Sequence, residues 1–165
     1  MRKTREAFHW IIFTLRKHKI PFQISGGLAA KVYGSARELA DIDIDIPEKR
    51  FPEILSDINK FIIFGPGRYK DKNWDIFLMT LRYQGQDIDL CGSGTAKIFD
   101  KRKRKWIRYP IDFSKTAIKK VFGLKVPVIS KKNLIEYKTG LQRKVDEIDI
   151  KAIKIFKKHN EPQWK

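Results

Sequence analysis

Six consecutive residues, Asp41-Ile42-Asp43-Ile44-Asp45-Ile46, restrict what this chain can fold into more than any other segment. Side chains alternate across a strand, so an extended run sets three aspartates on one face and three isoleucines on the other. The isoleucine face needs a core to cover it. The aspartate face spaces its carboxylates about 6.6–7 Å apart, close enough to repel unless a cation or a basic side chain lies between them. Upstream stands Gly26-Gly27, a turn through which a backbone can approach a phosphate closely. A glycine turn before a carboxylate strand is a way to hold phosphates beside a divalent metal, and it points to phosphoryl or nucleotidyl transfer.

The rest of the pattern predicts a mixed α/β order. Residues 3–18 carry Phe8, Ile11, Ile12 and Leu15 at helical spacing. Phe22 to Ser25 reads as a short strand, Leu28 to Tyr33 as a helix, and Phe51 to Ile58 as another. Phe61 to Phe64 reads as a strand closed by Gly65-Pro66-Gly67. Ile76 to Tyr83 and Gln86 to Cys91 form an antiparallel pair across Gln84-Gly85, with Gly92-Ser93-Gly94 ending the second strand. Asp100 to Arg108 is expected as a hairpin or a mobile loop, and Val126 to Ile129 as a strand. Ser130 is placed to cap a last helix. That helix, taken as continuous, gathers Leu134, Tyr137, Leu141, Val145, Ile148, Ala152 and Phe156 into one apolar stripe, with Lys138 and Asp149 at its edge. Gly140 leaves room for a break there.

At 165 residues the chain suits one domain, taken as 1–165 with a core of about 20–130 and a helical tail of about 131–160. No apolar run nears the ~20 residues of a membrane span. Cys91 is the single cysteine, which rules out an intrachain disulfide and a multi-cysteine zinc site and suits a reducing cytoplasm. The net charge of +17 attracts polyanions. Residues 101–125 hold ten Lys or Arg against one acid, Asp112, so a basic flank begins at Lys101–Lys105.

The metal candidates are Asp41 and Asp43, with a third carboxylate from Asp87 or Asp89 on the next alternating strand, Gln86 to Leu90. Mg²⁺ typically takes one or two carboxylates plus substrate phosphates. Arg37, shortly before Asp41, suits either a carboxylate or a phosphate partner. Cys91 reads as a packed side chain, and His9, His18 and His159 carry no assigned role. An EF-hand is excluded, because its sixth position, a glycine, is Ile46 and its twelfth, a glutamate, is Pro52. Neither the dinucleotide fingerprint nor a Walker loop is present.

Gly26-Gly27-Leu28-Ala29-Ala30, Tyr33-Gly34-Ser35, Arg37, Asp41-Ile42-Asp43 and the later Asp89 resemble the DNA polymerase beta-type nucleotidyltransferase superfamily. Within it the chain is similar to small bacterial members, the lincosamide and aminoglycoside nucleotidyltransferases and the abortive-infection toxin type. The string Pro127-Val128-Ile129-Ser130, Leu134, Lys138, Arg143, Asp146, Asp149-Ile150 resembles the helical tail of the toxin type. The resemblance implies an α+β nucleotidyltransferase fold, a small twisted mixed sheet flanked by helices. It implies that Asp41, Asp43 and Asp89 are catalytic and hold Mg²⁺ or Mn²⁺, as two ions. Gly26, Gly27, Ser35, Arg37 and Lys138 would bind the nucleotide. NMP would pass from an NTP to an acceptor hydroxyl with release of pyrophosphate. The short tail leaves the acceptor open, and the Lys101–Lys105 segment favours RNA, such as a tRNA end. The alternative is a catalytically silent nucleotide- or nucleic-acid-binding module of the same fold, for example a toxin-antitoxin component.

Overall fold

The structure, a computed structural model, describes residues 3–156, so His159 and the end of the expected tail lie outside the described residues. Helix α1 (Thr4–Lys17) leads through β1 (Gln23–Ile24) into α2 (Gly26–Val32) and then β2 (Asp41–Pro47). A 3₁₀ stretch (Glu48–Ile54) and the short α3 (Leu55–Ile58) follow. Strands β3 (Ile62–Lys70), β4 (Trp74–Tyr83), β5 (Gln86–Asp100), β6 (Lys105–Arg108), β7 (Thr116–Val121) and β8 (Leu124–Ile129) come next. Helices α4 (Lys131–Leu141) and α5 (Lys144–Ile155) end the described chain. The strands form one sheet in the order β3-β4-β5-β2-β1-β8-β7, with β6 paired to β5. It is a mixed sheet: β2 runs parallel to β5 and β1 to β8, and the other pairs are antiparallel.

The alternation in β2 is expressed as its sequence predicts. Ile42, Ile44 and Ile46 are fully buried and share one core with Phe8, Ile11, Ile12 and Leu15 of α1. The aspartates are left on the opposite face. Ser130 caps α4 by accepting a hydrogen bond from the Asn133 N–H at 3.2 Å. Among the described residues no helix is long and apolar enough to cross a membrane.

Several elements depart from the sequence expectation. Residues 51–58 do not form one α-helix, because Pro52 has no N–H to give and the segment starts as a 3₁₀ turn. Neither glycine cluster ends its strand: β3 runs through Gly65-Pro66-Gly67, and β5 runs through Gly92-Ser93-Gly94 to Asp100. Gly92 is there for closeness, since a Cβ would meet Phe77 Cβ at 3.0 Å and Glu48 Cβ at 3.2 Å. The segment after Asp100 is a hairpin, with β6 returning along β5. Strand β7, which carries the unpatterned Thr116–Val121, pairs with β8.

The tail is two helices. Gln142 takes a left-handed conformation (φ 50°) and Arg143 starts α5 in a capping box with Asp146. The break resets the helical phase. Asp146, Asp149 and Ile153 face inward, and Ile148 of the expected stripe is half exposed.

Candidate active site

Parallel pairing of β2 with β5 builds the site. The register sets Asp41 beside Asp87, Asp43 beside Asp89 and Asp45 beside Cys91. All six side chains line one cleft of about 550 Å³, together with Gly26, Gly27 and Arg37. The sequence left Asp87 or Asp89 for the third carboxylate and favoured Asp89, whose chain neighbours Ile88 and Leu90 are both apolar. In the structure Arg82 holds Asp87 with two hydrogen bonds at 2.6 and 3.0 Å. Asp89 accepts one from Thr80 Oγ1 at 2.6 Å and is the direct neighbour of Asp43.

Burial, then the charges of Asp41 and Asp89, push the Asp43 carboxyl up to about 7, against a bond from the Gly27 N–H at 3.1 Å. Burial also raises Asp89, with Thr80 opposing. Asp45 lies deeper, is raised to about 6 by burial, and takes a hydrogen bond from Gln23 Nε2 at 2.8 Å. Like charges that raise one another in a half-buried oxygen-only set fit a hard divalent cation. Among the described residues no three His, Cys, Asp or Glu side chains already stand at metal-binding spacing. A Mg²⁺ that uses two carboxylates and completes its shell with water and phosphate needs no such closed cluster.

The two glycines differ in what they do. Gly26 turns at φ 54°, and a Cβ there would strike the Asp43 carboxylate. Gly27 gives its N–H to Asp43, so it steadies the carboxylate instead of standing free for a phosphate. Of its two sequence alternatives, Arg37 has a carboxylate partner in the structure. It pairs with Asp149 at 3.2 Å while its guanidinium lines the cleft next to Gly27.

Ser35 and Lys138, nucleotide-binding residues by the resemblance, are engaged with the carboxylates of α5. Neither lines the cleft. Ser35 Oγ donates to Asp149 at 2.7 Å, and Lys138, 1% exposed, bridges Asp146 and Asp149 at 3.0 and 2.9 Å. The α5 carboxylates they meet, Asp146 and Asp149, face inward after the break at Gln142. Lys101–Lys105 likewise contributes nothing to the cleft lining. Its turn packs beside α4, where Lys101 N–H donates to Gly140 O and Arg102 pairs with Asp100 and Glu136.

The sequence reading missed an aromatic wall of the cleft. Trp74, Tyr109 and Tyr137 stand there, with Trp74 and Tyr109 each about one ring-width from Tyr137 (centroids 5.4 and 5.0 Å). Arg143 lies over the Trp74 ring at 5.3 Å. Thr80 was also missed, although counting back from the Gln84-Gly85 turn places it opposite Asp89. Burial, then Asp43, drive the Tyr137 hydroxyl well above its ordinary value, so it stays protonated. Burial, then Asp45 and Asp43, do the same to Cys91, which favours the neutral thiol.

Solved structures share this fold. A candidate nucleotidyltransferase from Thermotoga maritima superposes with TM-score 0.66 at 20% identity, over 82% of this chain and 84% of that one. The lincosamide antibiotic adenylyltransferase LnuA, lincomycin-bound, gives 0.63 at 16%, over 95% and 99%. ANT(2'')-Ia in complex with adenylyl-2''-tobramycin gives 0.58 at 15%, over 91% and 87%. No curated protein matches the sequence. The sequence profile of the aminoglycoside-2''-adenylyltransferases matches residues 8–153, which takes in the glycine turn, the sheet aspartates and most of α5. The chain belongs to the aminoglycoside-2''-adenylyltransferase family, and it is a nucleotidyltransferase.

Proposed function

We propose that this nucleotidyltransferase moves the AMP of ATP onto a hydroxyl of a small antibiotic-like acceptor and releases pyrophosphate. The observation that carries the reading is the β2–β5 register, which gathers Asp41, Asp43 and Asp89 at the Gly26–Arg37 end of one cleft. The acceptor oxygen forms a bond to the α-phosphorus as the bond from that phosphorus to the pyrophosphate oxygen breaks. Asp41 and Asp43 are the residues that would hold Mg²⁺, as one or two ions. Bound there, Mg²⁺ supplies charge neutralisation to the phosphates.

Asp89 takes the proton of the attacking hydroxyl. Its neighbours suit that work: Thr80 fixes one oxygen, and burial raises its basicity above that of an ordinary carboxylate. Arg37 faces the phosphates. The aromatic wall of Trp74, Tyr109 and Tyr137 offers flat apolar area to a ring. Such a wall, and a basic run that lies outside the cleft, favour a small molecule over an RNA acceptor. Tyr137 of α4 and Val145 of α5 line the same cleft, which supports reading core and tail as one domain.

The test is incubation with α-labelled ATP, Mg²⁺ and either tobramycin or lincomycin. Label in an antibiotic, lost in Asp41→Ala plus Asp43→Ala, is expected. ATP affinity unchanged in that double variant would overturn the reading.

A further inference from the structure

The cleft receives two arginines from outside the sheet, and both are held by one helix. Arg37 reaches Asp149 through Nε at 3.3 Å and Nη2 at 3.2 Å. Arg143 reaches Asp146 through its backbone N–H at 3.1 Å, Nε at 2.8 Å and Nη2 at 2.9 Å. The two carboxylates are successive inward positions of α5, and both are fully buried. Between them sits the ammonium of Lys138, from α4, 3.0 Å from Asp146 and 2.9 Å from Asp149. Ser35 completes the shell of Asp149.

A buried carboxylate is costly unless it is paired and hydrogen-bonded. Here each is shared between a lysine that never reaches the cleft and an arginine that does. The cluster holds three cations against two anions, and its surplus positive charge faces the cleft.

We propose that Lys138, Asp146 and Asp149 are positioning residues: the buried lysine anchors both carboxylates, and these hold Arg37 at the polyphosphate end and Arg143 on the aromatic wall. The proposal rests on the nucleotidyl-transfer reading, because it takes Arg37 to face the phosphates of the nucleotide. Without Asp149 the Arg37 guanidinium is free to turn away from Gly27. A planar fork fixed in advance loses less entropy on meeting a phosphate than a free one. The cluster thus preorganises the cleft without touching a substrate.

The experiment measures ATP and AMP affinity by calorimetry, with a thermal melt, for the full chain and for Asp149→Asn, Arg37→Gln and the pair. Asparagine keeps the shape of Asp149 and an oxygen for Ser35, so this variant is the one most able to fold. ATP binding is expected to weaken roughly tenfold in Asp149→Asn, as for a charge-assisted bond. AMP, which has no β- or γ-phosphate, is expected to lose much less. The double variant is expected to be no weaker than Arg37→Gln alone, because Asp149 acts through Arg37. A lower melting temperature with unchanged ATP affinity would mean a structural role only and overturn the proposal. So would additive losses in the double variant, or an equal loss for AMP. Should Asp149→Asn fail to fold, Lys138→Arg is read on the same split, with ATP affinity unchanged again counting against. Absence of ATP binding in the unaltered chain is a different result: it sinks the nucleotidyl-transfer reading itself.

Discussion

Gly26 and Asp43 leave no room between them: a side chain at the first residue of α2 would occupy the position of the Asp43 carboxylate. The backbone at Gly26 also turns at φ 54°, a conformation that costs an ordinary L-residue about 1–2 kcal/mol. Gly26→Ala is therefore expected to lower stability by at least that strain and to push Asp43 out of line with Asp89. A melt together with ATP calorimetry checks both effects. Gly27→Ala crowds the far end of Arg37, at 2.9 Å, and touches Leu39 Cδ1 at an ordinary 3.5 Å, so it is expected to cost less stability while still weakening ATP binding.

Asp89 and Asp87 should separate cleanly. Asp89→Asn is expected to lower transfer by roughly 10²–10⁴-fold, the usual worth of a positioned base, with ATP still bound. Asp87→Asn removes a partner of Arg82 at the cleft rim and is expected to change transfer far less. Equal losses in the two variants, measured as single-turnover rates, would contradict the assignment of Asp89.

The metal-free protein should lose stability as the pH rises from about 4 toward 7. Asp43 holds its proton up to about 7 when folded but only to 3.8 in its ordinary state, so across that interval the folded chain binds the extra proton. Raising the pH removes it and exposes the repulsion with Asp41 and Asp89. Asp45, raised to about 6, adds the same sign. Melts in a chelator between pH 4.5 and 8 are expected to slope downward, and Asp43→Asn to flatten the slope. Mg²⁺ should restore more stability at pH 7.5 than at pH 5, since it needs the ionised carboxylates.

Charge removal at the basic hairpin should leave the cleft untouched. Lys101→Gln with Lys103→Gln and Lys105→Gln alters exposed or half-exposed positions that do not line it. Transfer to a small acceptor is expected to stay within about twofold at physiological salt, where exposed charges beyond ~8 Å are largely screened. A tenfold loss would point back to a polyanionic acceptor.

Period-two alternation made β2 legible in the sequence, because both its buried isoleucines and its aspartate face are local properties of one strand. The Gly26-Gly27 turn and the alternating strand at Asp87–Asp89 were legible for the same reason. What the sequence left open depended on register. Asp43 meets Asp89 through a parallel pairing that no local pattern encodes, and Arg82 settles the state of Asp87 from across a hairpin. The places of Ser35 and Lys138 depended on a left-handed residue, Gln142, whose type gives no warning of it. A continuous helix would have turned Ile148 inward in place of the two carboxylates. The aromatic wall was invisible because Trp74, Tyr109 and Tyr137 come from three separate segments.

The parallel pairing of β2 with β5 also fixes when the cleft can exist. Strands β3 and β4 lie between its partners in the chain, so a long loop must close before Asp43 and Asp89 meet. Contacts of this kind form slowly, because chain entropy is lost before they repay it. Asp149 arrives later still, near the end of the described residues. During synthesis Asp41, Asp43 and Asp89 emerge well before the helix that holds Arg37, and a chain stopped ahead of residue 144 would carry these carboxylates without the Asp149 partner of Arg37.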